Sequence, residues 1–327
     1  MQASQQELDE TVFRELRHTL VNSRMETYDA FRKTLFPRYH KVWLDIFLGW
    51  LCIAICLVLA ALVFSTFKSW WVLAITILSA AISCGYCIAF LLNFFHEAAH
   101  FNIAKKKSSN DTLANIFIGI LTGQDIRQYR LVHWQHHKHL GSPEDTETSY
   151  FEALTPLFIL QSLTGVRVIK ILTARKKYVT ASTPPKKQAG VQPWMSIVFH
   201  LLVITMFILI RQWWLIPVWL LAVGTFYPFF NSVRQLLEHR ADNADKHIDY
   251  HTQPHGKLTR IFGNSFFARS FGSAGFNKHL LHHFEPQISY TRLYELELFL
   301  RDTPIGSKLG AQKTSYFRTF LKFIRQK

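Results

Sequence analysis

The sequence predicts an all-α integral membrane protein with four transmembrane helices in two hairpins and a cytosolic helical cap. Three observations carry this expectation. Four long apolar segments come in two close pairs, Trp43 to Phe67 with Trp71 to Phe95, and Trp194 to Ile210 with Trp213 to about Asn231. Each is near or above the roughly 20 residues that cross a hydrocarbon core. The links are short, Lys68 to Trp70 in the first pair and Arg211 with Gln212 in the second, which forces antiparallel neighbours. The hairpin tips carry only Lys68 and Arg211. The other 35 of the 37 Lys and Arg lie on the opposite side, which marks that side as cytosolic.

Composition agrees. Hydrophobic residues make up 49% and aromatics 15%, including 28 Phe and 9 Trp, with a formal net charge of +15. Such a chain suits a lipid bilayer with an anionic leaflet against its basic faces. Nucleic acid is not expected as a partner, because no nucleic-acid motif appears and the basic residues flank apolar segments. The four cysteines, Cys52, Cys56, Cys84 and Cys87, all sit inside apolar runs and imply no disulfide framework. Cys84-x-x-Cys87 has redox spacing, but a lipid-embedded setting reads it as packing. Met1 to Lys41 is polar and charged, so no cleavable signal peptide is expected.

Taken in order, residues 1–42 read as a cytosolic amphipathic segment, with Val12, Phe13, Leu16 and Leu20 on one helical stripe. Residues 43–95 form the first hairpin. Residues 96–193 are cytosolic and include an apolar-basic stretch, Ala153 to Tyr178, expected to lie in the membrane interface. "TASTPPKKQAG" (180–190) reads as a loop. Residues 194–231 form the second hairpin. Residues 232–327 are cytosolic and end in an interfacial stripe of Phe317, Phe320, Leu321 and Ile324 among Arg318, Lys322, Arg325 and Lys327.

The chain holds 16 histidines, and eight fall into three tight clusters. "HEAAH" carries His96 and His100. "HWQHH" carries His133, His136 and His137. "HLLHH" carries His279, His282 and His283. Spacings of three and four place side chains on one helical face. Eight imidazoles exceed the three protein ligands of a catalytic zinc. They suit two metals with four or five imidazoles each.

At these residues the sequence resembles the membrane fatty acid desaturase and hydroxylase superfamily, whose three boxes read H-x-x-x-H, H-x-x-H-H and H-x-x-H-H. The likeness runs from about Trp43 to Pro286. It implies two non-haem irons at the cytosolic end of four transmembrane helices. It also implies O2 as co-substrate, a lipid chain as substrate, and an external electron donor of ferredoxin or cytochrome b5 type. No H-P-G-G motif marks a fused cytochrome b5 domain. The family often adds one more His after the fourth helix. "VRQLLEHR" offers His239 for that role, and His247, His251 and His255 compete for it. Glu97, Glu144, Asp145, Glu147, Glu238 and Glu285 stand near the boxes and could orient ligating imidazoles. Asp145 and Glu147 are the stronger choices. His200, about six residues inside the third span, is not expected to bind metal.

Desaturation of an acyl lipid is the first expectation. A lipid or carotenoid hydroxylase or ketolase on the same scaffold is the alternative. HEAAH also matches a zinc metalloprotease pattern, but that reading needs a further ligand and leaves six clustered histidines idle. The Asp-Gly motif that often supplies that ligand is absent. A multi-pass protein of a bacterial plasma membrane is expected, in preference to the endoplasmic reticulum, with both termini in the cytosol.

Overall fold

Tyr39–Thr66 and Trp70–Ala99 form α3 and α4, of 28 and 30 residues. At about 1.5 Å per residue both exceed the roughly 30 Å hydrocarbon core. These helices belong to a computed structural model that describes residues 8, 10–142, 144–147, 152–181, 193–241, 252 and 258–325. Two short helices precede them, α1 (Glu10–Leu16) and α2 (Tyr28–Arg32). Then come α5 (Lys107–Phe117), α6 (Ile126–His139), α7 (Pro156–Leu163), α8 (Val166–Ala181) and α9 (Pro193–Leu209). The series continues with α10 (Leu215–Leu221) and α11 (Tyr227–His239). It ends with α12 (Phe266–Phe271), α13 (His279–Phe284), α14 (Leu293–Arg301), α15 (Gly306–Ala311) and α16 (Tyr316–Arg325). Among the described residues the only β pairing is two isolated bridges.

Three helices are long and apolar enough to cross a membrane: Tyr39–Thr66, Trp70–Ala99 and Leu215–His239. The last is one continuous helix through α10, a five-residue π segment (Ala222–Phe226) and α11. The widening has a local cause. Pro228 lacks an N–H and its ring crowds the carbonyl four residues back, at Gly224. The expected third span is α9, of 17 residues, or about 25 Å.

The stretch expected to lie in the interface is a bent pair of helices. α7 and α8 meet at 85°, the geometry of a broken span or a re-entrant loop. Gly165, with φ of +72°, makes the corner between them. Helix α8 continues to Ala181, so the expected loop begins as helix. Its residues 182–190 lie outside the described residues.

The chain divides into two compact units. One comprises His40–Trp134 and Thr155–Arg234, the other Met1–Tyr39, Gln135–Leu154 and Gln235–Lys327. The first holds the apolar helices. α3 buries Val42, Ile46, Ile53 and Phe64 and leaves Phe47, Leu51, Val58 and Leu62 exposed, a large apolar face suited to lipid. The Trp43 and Trp50 indoles each donate at 3.0 Å to the carbonyls of Ile103 and Phe117, tying α3 to the segment that bears α5. α4 packs on α10 and the π segment through Gly85. A Cβ there would meet Phe226 Cβ at 2.5 Å and Tyr227 N at 2.9 Å. All four cysteines are free thiols, and Cys84 is buried.

The second unit has a core of Phe13, Tyr28, Leu281, Phe284, Leu296 and Phe299 among others. Its N-terminal part is helical in short pieces, and the expected stripe is divided. α1 ends at Leu16 and a 3-10 turn follows, so Phe13 and Leu20 are buried while Leu16 is 36% exposed. The reversal around Asn22, where the Glu26 carbonyl accepts from Asn22 N at 3.1 Å, breaks the helical period. In α16 the buried face is Tyr316, Thr319 and Phe323. Of the expected stripe, Phe317 and Ile324 are exposed, and Phe320 and Leu321 are half-buried.

Candidate metal centre

Each unit gathers buried imidazoles of its own. In the unit of apolar helices, His96 lies in the last turn of α4 and His100 caps that helix. A helix end leaves carbonyls unpaired. Here Arg130 Nε donates to Ala99 O at 2.9 Å, and Asn110 Nδ2 donates to Ala98 O at 2.9 Å. Asp111 accepts from Arg130 and holds it in place. Arg130 and His133 stand three apart on α6, so the side chain that fixes the end of α4 also holds it near His133. Tyr129 stacks on the His133 ring at 5.6 Å with 6° between planes. His100 Nε2 and His133 Nε2 are 2.8 Å apart, and His96, His100 and His133 offer ligand atoms within 4.8 Å of one another.

In the other unit, α6 contributes His136 and His137, α11 ends on His239, and α13 presents His279, His282 and His283. His239 lies on the helix itself rather than on a segment folding back after it. The His136, His239 and His283 ligand atoms lie within 4.8 Å of one another. His279 Nε2 is 2.9 Å from His239 Nε2 and 3.1 Å from His283 Nε2. His282 Nε2 and His137 Nε2 are 3.1 Å apart. All nine rings are buried.

This donor set fits a metal. A metal–imidazole bond is about 2.1 Å, so two nitrogens in neighbouring positions at right angles on one ion stand about 3 Å apart. The four nitrogen pairs match that spacing, from 2.8 to 3.1 Å. Two of the imidazoles, His100 and His283, are also held neutral, as ligation requires. Burial, aided by the nearby Arg130, lowers His100 to about 3. Burial first, and then the surrounding His137, His279, His136 and His239, push His283 well below its ordinary value.

Among the carboxylates, Asp145 meets an imidazole. Its Oδ1 accepts from His136 Nδ1 at 2.9 Å and from Glu147 N at 2.8 Å, while Gly141 N donates to its Oδ2 at 2.9 Å. This bond leaves the His136 Nε2 lone pair for a metal. Glu147 accepts from Gln235 at 2.6 Å, Glu144 from Ser142 at 2.9 Å, and Glu238 from Tyr316 at 2.8 Å. Glu285 accepts from Tyr28, Arg17 and Arg32. Glu97 is buried beside His96. Sequence reasoning missed Arg130, Asp111 and Asn110, whose only sequence signal is the place of Arg130 one helical turn before His133.

His200 has partners elsewhere. Trp219 Nε1 donates to its Nδ1 at 3.1 Å, and its Nε2 donates to Leu121 O at 3.2 Å. Both nitrogens are thereby used in the neutral form. His247, His251 and His255 lie outside the described residues.

A comparison with curated proteins gave no match. The model of the fatty acid desaturase family matches residues 69–309, a span that contains all three boxes and His239. The match and the buried imidazole sets set aside the zinc-protease reading of HEAAH: the chain belongs to the fatty acid desaturase family, whose members are di-iron oxidoreductases.

Proposed function

We propose that the protein is an O2-dependent desaturase that places a double bond in the acyl chain of a lipid. The observation that carries this reading is the nine buried imidazoles inside the matched span, seven of which pair their Nε2 atoms at about 3 Å. His96, His100 and His133 in one unit, and His136, His137, His239, His279, His282 and His283 in the other, would hold two non-haem irons. Iron bound there supplies the oxidising power, drawn from O2, that an unactivated C–H bond demands. The overall change balances simply. One CH2–CH2 unit gives up two hydrogens, a separate carrier of ferredoxin or cytochrome b5 type gives two electrons, two protons come from solvent, and O2 leaves as two waters.

The chain's residues do the rest. Asp145 holds the Nδ1 proton of His136 and so fixes its tautomer. Burial keeps His100 and His283 unprotonated. The lipid-facing surface of α3 keeps the protein in the bilayer, where an acyl chain is at hand. We place residues 43–95 and 194–231 in the membrane and residues 1–42, 96–193 and 232–327 in the cytosol. The charge split supports this placement. The basic cytosolic side would steer an acidic electron carrier.

Lipid profiling of cells with and without the gene tests the reading. A product lighter by two hydrogens is expected. A product heavier by one oxygen would make the protein a hydroxylase, and unchanged lipids would remove both.

A further inference from the structure

α13 has six residues and carries three of the nine imidazoles. A helix that short does not hold itself, so its orientation comes from what it packs against. On its N-terminal side Lys278 pairs with Glu297 of α14. On its C-terminal side the partners come from the far end of the sequence. Glu285, two residues after His283, has a side chain 3% exposed. Its Oε1 accepts from Tyr28 OH at 2.7 Å and from Arg17 Nη1 at 2.9 Å, and its Oε2 accepts from Arg32 Nε at 3.0 Å. A buried carboxylate without such partners is strongly unfavourable, so these three groups fix where it sits. One residue earlier, the Phe284 ring stacks on Phe13 with centroids 4.6 Å apart and planes 8° apart. Phe13, Arg17, Tyr28 and Arg32 all precede the stretch that matches the family, which begins at residue 69.

We propose that the N-terminal segment, residues 10–32, is a clamp that positions the third histidine box. Tyr28, Arg17 and Arg32 act through Glu285, and Phe13 acts through Phe284. None of the four is a catalytic residue, and their effect on metal rests on the reading that His279, His282 and His283 bind it.

The test uses the full chain in nanodiscs, with two readouts. The first is amide hydrogen exchange over residues 279–285 in metal-free protein. The second is iron retained against a chelator. Arg17→Ala with Arg32→Ala should speed exchange there about tenfold and weaken iron retention about tenfold, the scale seen when groups behind a ligand are lost. Tyr28→Phe, which removes one oxygen and keeps the fold, should move both readouts the same way by less. Arg17→Lys with Arg32→Lys should restore part of both. Asp302→Asn is the control. It loosens the Ser23 contact of the same segment, 2.6 Å from Ser23 Oγ, and should leave α13 unchanged. Unchanged exchange over 279–285 in a folded double variant overturns the clamp. So does exchange that rises equally in α14 and α15, which would mean general loosening. If the unaltered protein holds no iron while exchange still responds, the metal reading has failed and the clamp stands.

Discussion

Asp145 Oδ1 lies 2.9 Å from His136 Nδ1, and both side chains are buried. The carboxylate is itself held by the backbone amides of Gly141 and Glu147, so the turn after α6 fixes the tautomer of a box histidine. Replacing it with a neutral group of the same shape isolates the charge. Asp145→Asn is expected to weaken iron binding by about 10-fold or more. Iron per folded chain after dialysis decides it, and full retention would mean that Asp145 serves only the turn.

His239 and His200 make a controlled pair. His239 sits 2.9 Å from His279, whereas His200 is satisfied by Trp219 and Leu121. His239→Ala should lower iron and abolish turnover, and His200→Ala should leave iron in place. Elemental analysis should find about two irons and little zinc in the unaltered protein, since nine imidazoles exceed the needs of one ion. If His239→Ala keeps its iron while His247→Ala, His251→Ala or His255→Ala loses it, the ninth ligand is misassigned.

Orientation can be read from two exposed positions. Met25 is 82% exposed, and Lys68 lies at the link between α3 and α4. In a chain freed of its four cysteines, Lys68→Cys should react with an impermeant maleimide on intact cells. Met25→Cys should react only after permeabilisation. The reverse pattern would place the boxes outside. Ser142 beside the second box is 6% exposed and is a poor site for such a label.

Gly85 permits the contact between α4 and the π segment. Gly85→Ala puts a methyl group 2.5 Å from Phe226 Cβ, so one helix must shift. A loss of about 1–3 kcal/mol is expected. Thermal unfolding in detergent measures it, and an unchanged midpoint would show that the helices yield without cost.

The imidazoles were legible in the sequence because ligand spacing on a helix is local: three and four residues apart is all that HEAAH, HWQHH and HLLHH need to state. The long apolar helices were legible for the same reason. What escaped was non-local. Nothing in "HFEP" says that Glu285 receives Tyr28, 257 residues earlier. The break between α7 and α8 turns on the backbone angle of Gly165, and the π segment on what Pro228 does to the turn before it. α16 buries a second face, Tyr316, Thr319 and Phe323, that the reading of its apolar stripe did not name. The polar flank Tyr316 and Thr319 faces inward because the Tyr316 ring stacks on Phe262 and its hydroxyl reaches Glu238.

The unit that carries six of the nine imidazoles is drawn from the beginning, the middle and the end of the chain: Met1–Tyr39, Gln135–Leu154 and Gln235–Lys327. During synthesis its first part leaves the ribosome while its last part does not yet exist. At 5–20 residues per second the wait is roughly 15–60 s. Through that interval Phe13 and Tyr28 have no Phe284 or Glu285 to meet. The hairpin of α3 and α4 faces no such delay, since its two halves are adjacent in sequence. Insertion therefore comes early and ligand assembly last, so a ribosome that stops short of residue 279 releases a chain already in the membrane but without its third box.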